Sequence, residues 1–446
     1  MVHAFDCLGH SFLLDVESGS VFIVDTLVKA LIENGNSPID YSKGEFSRYT
    51  KEEIDCALEE IQQLKEEGIL YTEEAEHNPP VYSGVIKAMC LNVSHMCNLR
   101  CEYCFADGGT YCGQAENMSF EVAKAAVDFL VKRSGSRRNL EIDFFGGEPL
   151  LNLGVVKKTV EYARSLEKTY NKNFRFTITT NAVLLDDEAI DFFNKEMYNV
   201  VVSIDGRKEV HNLVRKTTTG EGSFDKAMKN ALNFKKKRVG QYYVRGTYTA
   251  LNKDFSNDVL FLNDMGFDQI SIEPVVLPDE HRLAIKKDDV PQLIEEYDKL
   301  VREYYERRKT DDKWFNFFHF MLDIYHGPCE SKRLVGCGAG NEYVAVAPSG
   351  DIYPCHQFDG EKEYKIGNVL DGTFETPIPE KFAKNNLLTK PDCSQCWAKY
   401  YCSGGCAANA IRYCGDINKP YKMTCELMRK RIECAIAINS LEKENI

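Results

Sequence analysis

Three cysteines near residue 100 have types and spacing that suit an iron–sulfur site. Cys97, Cys101 and Cys104 form a C-x₃-C-x₂-C pattern, and three thiolates on one loop can hold three irons of a [4Fe–4S] cube. This loop offers no fourth ligand, so one iron would stay open for a small molecule, as in catalytic metal sites. A zinc clip or buried free thiols are the competing interpretation, which is disfavoured because zinc sites usually take four ligands in two pairs.

The elements that must position these cysteines alternate between strands and helices. Because such alternation is typical of a mostly parallel sheet, we expect an α/β fold. Six units cover about 200 residues, whereas a full eight-unit barrel needs about 250, so a partial (β/α)₆ TIM-like barrel is predicted. Ser119 and Ser223 are expected to cap two of the helices, and a helix over Val290–Lys309 closes the domain. Strands are predicted at Ala88–Val93, Leu140–Phe145, Phe174–Thr179, Val200–Ile204, Tyr243–Thr249 and Gln269–Val275.

Polar and glycine-containing motifs follow the predicted strands. Gly146-Gly147-Glu148-Pro149 ends the second strand, Thr179-Thr180-Asn181 the third and Ser203-Ile204-Asp205-Gly206 the fourth, with a His211-x₃-Arg215 segment next. Two adjacent glycines let the backbone approach a ligand closely. Each motif alone is equally compatible with an ordinary turn or strand-end cap. Together they predict a polar site at the barrel face where the cysteine loop lies.

The cysteine spacing, with Tyr103 before the last cysteine, resembles the radical S-adenosylmethionine (SAM) superfamily. The resemblance implies that SAM binds the open iron and that one electron cleaves it to methionine and a 5′-deoxyadenosyl radical. That radical removes a hydrogen atom from an unreactive carbon. Since the cofactor does the hard chemistry, no acid–base pair is assigned. The SAM-binding residues implied are Tyr103, Gly146, Gly147, Glu148, Asn181, Ser203 and Arg215, of which Arg215 pairs with the SAM carboxylate.

The last 110 residues carry a second array of cysteines. Its spacing resembles the SPASM domain, the auxiliary-cluster extension of radical SAM peptide maturases, except that 18 residues replace the usual 17 before the last cysteine. A zinc ribbon that includes Cys393 and Cys396 is the alternative. The resemblance implies two further [4Fe–4S] clusters, three in all. Their ligands would be Cys393, Cys396, Cys402 and Cys425 for one, and Cys337, Cys355 and Cys406 for the other.

Two candidates remain for the fourth ligand of the second of these clusters. Cys329 lies eight residues before Cys337 and could fill it. Otherwise a substrate thiolate could bind there, and the metal would lower the pKa of that thiol. The remaining cysteines are predicted to be buried small hydrophobes: Cys7, Cys56, Cys90, Cys112, Cys414 and Cys434.

Residues 1–80 predict a small winged-helix-like domain. A hairpin is expected within Ser11–Asp25, helices at Thr26–Glu33 and Lys51–Glu67, and a third strand at Ile69–Tyr71. The domain resembles the peptide-recognition element of ribosomal-peptide maturases, in which a leader peptide adds a strand to a sheet edge. DNA binding and a purely stabilising role are the alternatives. The predicted organisation is therefore 1–80 for leader recognition, 81–310 for the radical SAM barrel and 311–446 for the SPASM domain.

Amino-acid composition and net charge restrict the classes of protein to which this chain can belong. The 446 residues are 43% hydrophobic and carry a net charge of −13, which disfavours nucleic acid as a partner. No stretch of about 18 apolar residues predicts a membrane span, and no secretory signal is visible. We therefore expect a cytoplasmic protein, in which many of the 17 cysteines bind metal rather than form disulfides.

Within radical SAM/SPASM proteins, the chain most resembles the maturases of SCIFF peptides ("six cysteines in forty-five residues"), the thioether-forming sactipeptide and ranthipeptide enzymes. This resemblance implies a thioether between a cysteine sulfur and a carbon of an acceptor residue. The implied partners are a cysteine-rich precursor peptide with a leader and an electron donor such as a flavodoxin or ferredoxin. Two alternatives remain: anaerobic sulfatase maturation, which makes formylglycine, and a non-catalytic iron–sulfur or zinc regulator that binds DNA.

Overall fold

The computed structural model describes residues 1–35, 37–74, 76–78, 82–111, 113–322, 330–374 and 377–444. Its N-terminal part is a three-stranded antiparallel sheet, in the order β1-β2-β3, with two α-helices. These elements are β1 (Val2–Cys7), β2 (His10–Asp15), β3 (Val21–Val24), α1 (Thr26–Asn34) and α2 (Lys51–Glu66). The Thr50 side chain and Glu53 form a reciprocal capping box at the start of α2.

The predicted hairpin and both predicted helices are confirmed, but the third strand is elsewhere. Ile69–Tyr71 is not a strand, because the backbone N–H groups of Ile69 and Leu70 both donate to the Leu64 carbonyl, at 3.0 and 3.1 Å. These bonds hold the segment against the end of α2. Instead β1 completes the sheet, pairing Phe5 with Phe12. The winged-helix assignment for this region stays a prediction.

The central part of the chain alternates between strands and helices as predicted. All six predicted strands and the helix expected near Val290 are confirmed, with ends that differ from the prediction by at most three residues. The elements are β4 (Ala88–Ser94), β5 (Leu99–Cys101), α3 (Phe120–Arg133), β6 (Asn139–Gly146), α4 (Leu153–Tyr170), β7 (Asn173–Thr180), α5 (Asp187–Glu196), β8 (Met197–Ser203), α6 (Lys208–Val214), β9 (Arg215–Thr217), α7 (Phe224–Lys237), β10 (Gln241–Tyr248), α8 (Phe255–Asp264), β11 (Gln269–Pro274) and α9 (Val290–Arg307).

The two predicted helix caps have different outcomes. Ser119 accepts a hydrogen bond from the Val122 N–H at 3.3 Å, so its capping role at α3 is confirmed. The Ser223 side chain does not cap α7. Its buried hydroxyl donates to the Arg215 carbonyl at 2.8 Å and lies 3.0 Å from His211 Nε2. The prediction for Ser223 was wrong because these two buried partners take its hydrogen-bonding capacity.

The C-terminal part continues the same sheet rather than forming a separate layer. Parallel pairing of Val344 with Met89 joins β13 to β4, so the full order is β12-β11-β10-β8-β7-β6-β4-β13-β14-β15. These added elements are β12 (Asn316–Phe317), α10 (Glu330–Val335), β13 (Tyr343–Val346), β14 (Asp351–Tyr353), β15 (Gly367–Asn368), α11 (Ile378–Ala383), α12 (Pro391–Ser394), α13 (Lys399–Cys402), α14 (Ala407–Cys414) and α15 (Lys422–Glu444).

The N-terminal region packs directly on the C-terminal one. The His3 ring stacks on Trp397 with centroids 3.7 Å apart. Lys399, which is buried, pairs with Glu17 at 2.8 Å and with Glu74 at 2.7 Å. These contacts place the N-terminal sheet beside the segment that runs from Cys396 to Cys402. Across the described ranges, every helix is too short or too polar to cross a membrane.

Candidate active site

The ends of five central parallel strands, β6, β7, β8, β10 and β11, and the loop that follows the sixth, β4, border one cavity of about 400 Å³, which we call the reaction cavity. A flat sheet would separate the ends of β4 and β11 by about 24 Å, since neighbouring strands lie about 4.8 Å apart. Residues at the end of β11 and just after β4 nevertheless line this single cavity. The sheet therefore curves around it, as a partial barrel requires.

Cys97, Cys101 and Cys104 follow β4 and all line the reaction cavity as free thiols. Pairing of β5 with β9 sets Cys101 opposite Arg215. The Leu99 N–H donates to Cys97 Sγ at 3.4 Å. Burial raises the pKa of the Cys97 thiol to about 11 and that of Cys101 to about 12. A metal ion must therefore displace a proton from each thiol, as it does when it binds cysteine.

The Gly146-Gly147 pair brings β6 against the cysteine loop. Gly146 has φ of +126°, and a Cβ there would lie 2.4 Å from the Ser94 carbonyl oxygen. A Cβ on Gly147 would lie 2.2 Å from the Met96 carbonyl oxygen and 3.1 Å from Cys97 Cβ. Only glycine allows this approach, because the atoms that a side chain would meet are backbone. The two glycines thus fix the position of Cys97 as well as opening the cavity floor.

Gly147→Ala is expected to displace the Met96–Cys97 segment and lower the iron content of the first cluster, with a lower melting temperature. Gly154→Ala is the matched control, since nothing lies within 4 Å of a Cβ added there. This glycine is in α4, where alanine should stabilise the helix by about 1 kcal/mol. Iron per chain and thermal unfolding measure the difference. Equal iron content in both variants would contradict the role assigned to Gly147.

Tyr103, Asp205 and Arg215 form a buried cluster beside the cysteine loop. The Tyr103 hydroxyl donates to Asp205 Oδ2 at 2.6 Å, and Arg215 Nε lies 2.8 Å from the Tyr103 oxygen and 3.1 Å from Asp205 Oδ2. Burial opposes the charge on Arg215, but Asp205 and Tyr103 outweigh it and raise the Arg215 pKa. A permanent cation therefore lies at the wall of the reaction cavity. The sequence motif included Asp205, but its pairing with Arg215 was not predicted.

Glu148, which follows β6, forms hydrogen bonds to the end of β7. Its side chain is 1% exposed; Oε1 accepts from the Thr180 hydroxyl at 2.7 Å, and Oε2 accepts from the Asn181 N–H at 2.8 Å. Asn181 in turn donates to Asn98 Oδ1 at 2.8 Å. These bonds link the ends of β6 and β7 to the cysteine loop. Asn181 and Ser203 both line the reaction cavity, so all seven residues predicted to contact SAM are brought together there.

Two charged residues in the cavity wall were missed by the sequence reasoning. Arg245 and Glu273 point from β10 and β11 into the reaction cavity and form an ion pair. Burial alone would raise the Glu273 pKa, but Arg245 and then His319 lower it to about 2. A charged side chain near the carboxyl end of a predicted strand was the available signal.

The cysteines of the C-terminal array form two groups. Cys337, Cys355 and Cys406, the three-cysteine group, lie within electrostatic reach of one another, and Cys406 also lines the reaction cavity. Cys329 lies outside the described residues. Cys393, Cys396, Cys402 and Cys425, the four-cysteine group, border a separate cavity of about 320 Å³. A third cavity of about 210 Å³, lined by Cys402, Cys406 and Cys425, lies between the two groups.

The donor set in each group fits iron–sulfur ligation. The thiols are unpaired, and burial raises the pKa of Cys355 and Cys425 to about 12. Within the ranges that the structure covers, no three His, Cys, Asp or Glu side chains are close enough to chelate a single ion, as zinc would need. A cube spreads its thiolates over separate corners, so its ligands are spaced more widely. The residues present therefore suit clusters better than zinc.

The remaining cysteines differ in how deeply they are buried. Cys7, Cys90 and Cys434 are buried, as predicted for small hydrophobes. Cys56 is exposed and Cys414 is half-buried, so that prediction was wrong for these two. Cys56 lies on the solvent side of α2, whose buried face is formed by Ile54 and Ala57. Cys112 lies outside the described residues.

Comparison with known families agrees with this geometry. Residues 91–260 match the Radical SAM superfamily, and residues 337–397 match SPASM, an iron–sulfur cluster-binding domain. The chain is 26% identical over 336 residues to a cysteine-type anaerobic sulfatase-maturating enzyme of Clostridium novyi, covering 71% of this chain and 86% of that protein. Iron–sulfur clusters and SAM are the cofactors that these two domains imply.

Two solved structures share the fold. Native anSMEcpe with bound AdoMet aligns with a TM-score of 0.67 at 22% identity, covering 81% of this chain and all of that one. Streptococcus suis SuiB bound to S-adenosylmethionine aligns with a TM-score of 0.53 at 18% identity, covering 92% of this chain and 95% of that one. At these identities the likeness shows a shared fold.

Proposed function

We propose that this radical SAM enzyme, with its SPASM domain, forms a thioether within a ribosomally made precursor peptide, between a cysteine sulfur and a carbon of an acceptor residue. One observation carries the proposal: Cys406 of the three-cysteine group lines the same reaction cavity as Cys97, Cys101 and Cys104. A peptide thiolate held at the open place of that group would lie next to the site where hydrogen is removed. Carbon and sulfur would then be in reach of each other.

The residues of the reaction cavity have distinct roles in this proposal. Cys97, Cys101 and Cys104 would hold the first cluster, which would supply the one-electron reduction of SAM that leads to removal of a hydrogen atom from the acceptor carbon. Arg215 holds the SAM carboxylate, and Gly147 allows SAM to approach the backbone. Arg245 and Glu273 border the space left for the peptide.

The reaction balances as the loss of two hydrogens from the peptide. The acceptor carbon loses one hydrogen atom to the product 5′-deoxyadenosine, and the cysteine sulfur loses a proton as the carbon–sulfur bond forms. One surplus electron must leave the product. The four-cysteine group, joined to Cys406 by the intervening cavity, lies where an auxiliary cluster would accept it.

The N-terminal sheet provides a place for the leader peptide. β3 is the last strand of that sheet, and no other described strand pairs with its outer edge. A leader could add a strand there through backbone hydrogen bonds. The sheet packs on the segment between Cys396 and Cys402, so a bound leader would be anchored beside the auxiliary-cluster region.

Formylglycine formation is the second candidate, because sulfatase-maturating enzymes are among the relatives. Anaerobic incubation with SAM, a reductant and a candidate cysteine-rich peptide separates the two activities by mass spectrometry. A thioether former yields a peptide two mass units lighter that has lost one alkylatable thiol and contains no aldehyde. An aldehyde that reacts with a hydrazine reagent would favour the sulfatase activity. A product that keeps all its thiols and lacks an aldehyde would contradict both.

Cys406→Ala is expected to keep SAM cleavage but abolish the crosslink, because the first cysteine loop remains whole while the place for the peptide sulfur is lost. Release of 5′-deoxyadenosine and the peptide mass are measured together. Cys414→Ala is the control, since Cys406 is the N-cap of α14 whereas Cys414 is the last residue of that helix and lies outside both groups. Crosslinking at the normal rate in Cys406→Ala would refute the role of the three-cysteine group.

A further inference from the structure

A buried lysine lies at the junction between the two C-terminal cysteine groups. Lys390 is 2% exposed, and its ammonium donates to the Gly404 carbonyl at 2.8 Å. Gly404 lies in the short loop between Cys402 of the four-cysteine group and Cys406 of the three-cysteine group. The Lys390 carbonyl also accepts from the Cys393 N–H at 2.9 Å. This one residue thus contacts the loops that carry ligands of both groups.

Lys390 has no carboxylate partner in the part of the chain that the structure describes. Two other buried lysines have one, since Lys399 pairs with Glu17 and Lys430 with Asp298, while buried Lys172 donates to two backbone carbonyls instead. An ammonium removed from water costs several kcal/mol unless an anion or several acceptors compensate it. A single carbonyl is one acceptor for three N–H donors. The Lys390 ammonium therefore has fewer partners than any of these three lysines and can take a neighbouring anion as a further one.

The cysteines supply such an anion when they bind iron. Lys390 lies within electrostatic reach of Cys393, Cys402, Cys425 and Cys406. The first three of these border the 320 Å³ cavity together with Gly404. A cube held by four thiolates is a net anion, so the loaded site provides the counter-charge that the polypeptide lacks.

We propose that Lys390 is the counterion of the auxiliary clusters and raises their reduction potentials. This inference rests on the assignment of the two cysteine groups as cluster ligands. Reduction adds an electron to an anionic cluster, and a fixed nearby cation stabilises the more negative state. Net charge and hydrogen bonding are established determinants of cluster potential. In the proposed reaction the surplus electron must pass to this region, and a higher potential makes that transfer more favourable. Lys390 acts through the cluster and is therefore a positioning residue.

Redox titration of Lys390→Met followed by electron paramagnetic resonance tests this role. The full-length chain is used, with Cys97, Cys101 and Cys104 replaced by alanine so that only the auxiliary clusters report. We expect reduction to become at least tenfold less favourable, which is about 59 mV for one electron. Lys390→Arg should restore the potential, because it keeps the charge. Neither SAM nor peptide is present, so the result does not depend on whether the enzyme forms thioethers.

Lys422→Met is the matched control. Lys422 borders the same cavity, but its side chain is 81% exposed, so water screens its charge and a much smaller shift is expected. Lys390→Gln serves as a second neutral variant that keeps a donor for Gly404. If both neutral variants fail to load iron while Lys390→Arg loads it, the counterion role is supported. Unchanged potentials in a fully loaded Lys390→Met chain would overturn it, as would failure of all three variants, Lys390→Arg included, to load iron.

Discussion

Replacing Cys101 by alanine is expected to abolish SAM cleavage, leaving 5′-deoxyadenosine at the background of the assay. The first loop has three thiolates and each is needed to hold a corner of the cube, so two cannot keep an open iron in place. Cys101 is also fixed opposite Arg215 by the pairing of β5 and β9. Its loss therefore also removes the thiol that β5–β9 pairing places opposite the Arg215 backbone.

Iron content should fall by about one cluster per chain, while the signals of the C-terminal groups remain. Cys56→Ala is the control, because Cys56 is an exposed thiol on α2 that belongs to neither the reaction cavity nor a cysteine group. It should keep both iron and activity. Anaerobic reconstitution, iron analysis and chromatography of the nucleoside product measure these effects. Wild-type rates of SAM cleavage by Cys101→Ala would refute the assignment of the first loop.

The cysteine loop and the strand-end motifs were predictable because their signals are local. The spacing of Cys97, Cys101 and Cys104 limits them to one loop, and the apolar run that begins at Ala88 predicts the strand before it. Since parallel strands end at one face, the motif at Gly146-Gly147 and the one at Asn181 could be assigned to the same site. The structure brings them together around one cavity.

Interactions between distant segments could not be predicted in this way. β13 joins β4 through residues about 255 positions apart, as in the pairing of Tyr343 with Ala88, and no local pattern specifies such a partner. The ion pair of Arg245 and Glu273 depends on the register of β10 and β11, which is set by packing of both strands. Ile69–Tyr71 has the composition of a strand, but its position at the end of α2 lets the helix carbonyl take its N–H groups.

Replacing Arg215 by methionine is expected to destabilise the fold and weaken SAM binding, for separate reasons. Asp205 is fully buried and would lose its cationic partner. Removal of one member of a buried ion pair costs about 3–5 kcal/mol, because the remaining charge is uncompensated. Tyr103 would still donate to Asp205, but one neutral donor does not replace a guanidinium. Denaturant unfolding of the protein should show this loss.

The double variant Asp205→Asn with Arg215→Met separates the two effects. With both charges gone, most of the lost stability should return. In the wild type the Thr247 N–H donates to Asp205 Oδ1 at 3.1 Å, and the asparagine oxygen can accept the same hydrogen bond. SAM affinity should stay at least tenfold below that of the wild type, because the double variant lacks the cation that we propose as the partner of the SAM carboxylate. Equilibrium dialysis of SAM against both variants measures this. If the double variant bound SAM as tightly as the wild type, Arg215 would serve only to neutralise Asp205. Another group at the cavity wall, such as Arg245, would then have to bind the SAM carboxylate.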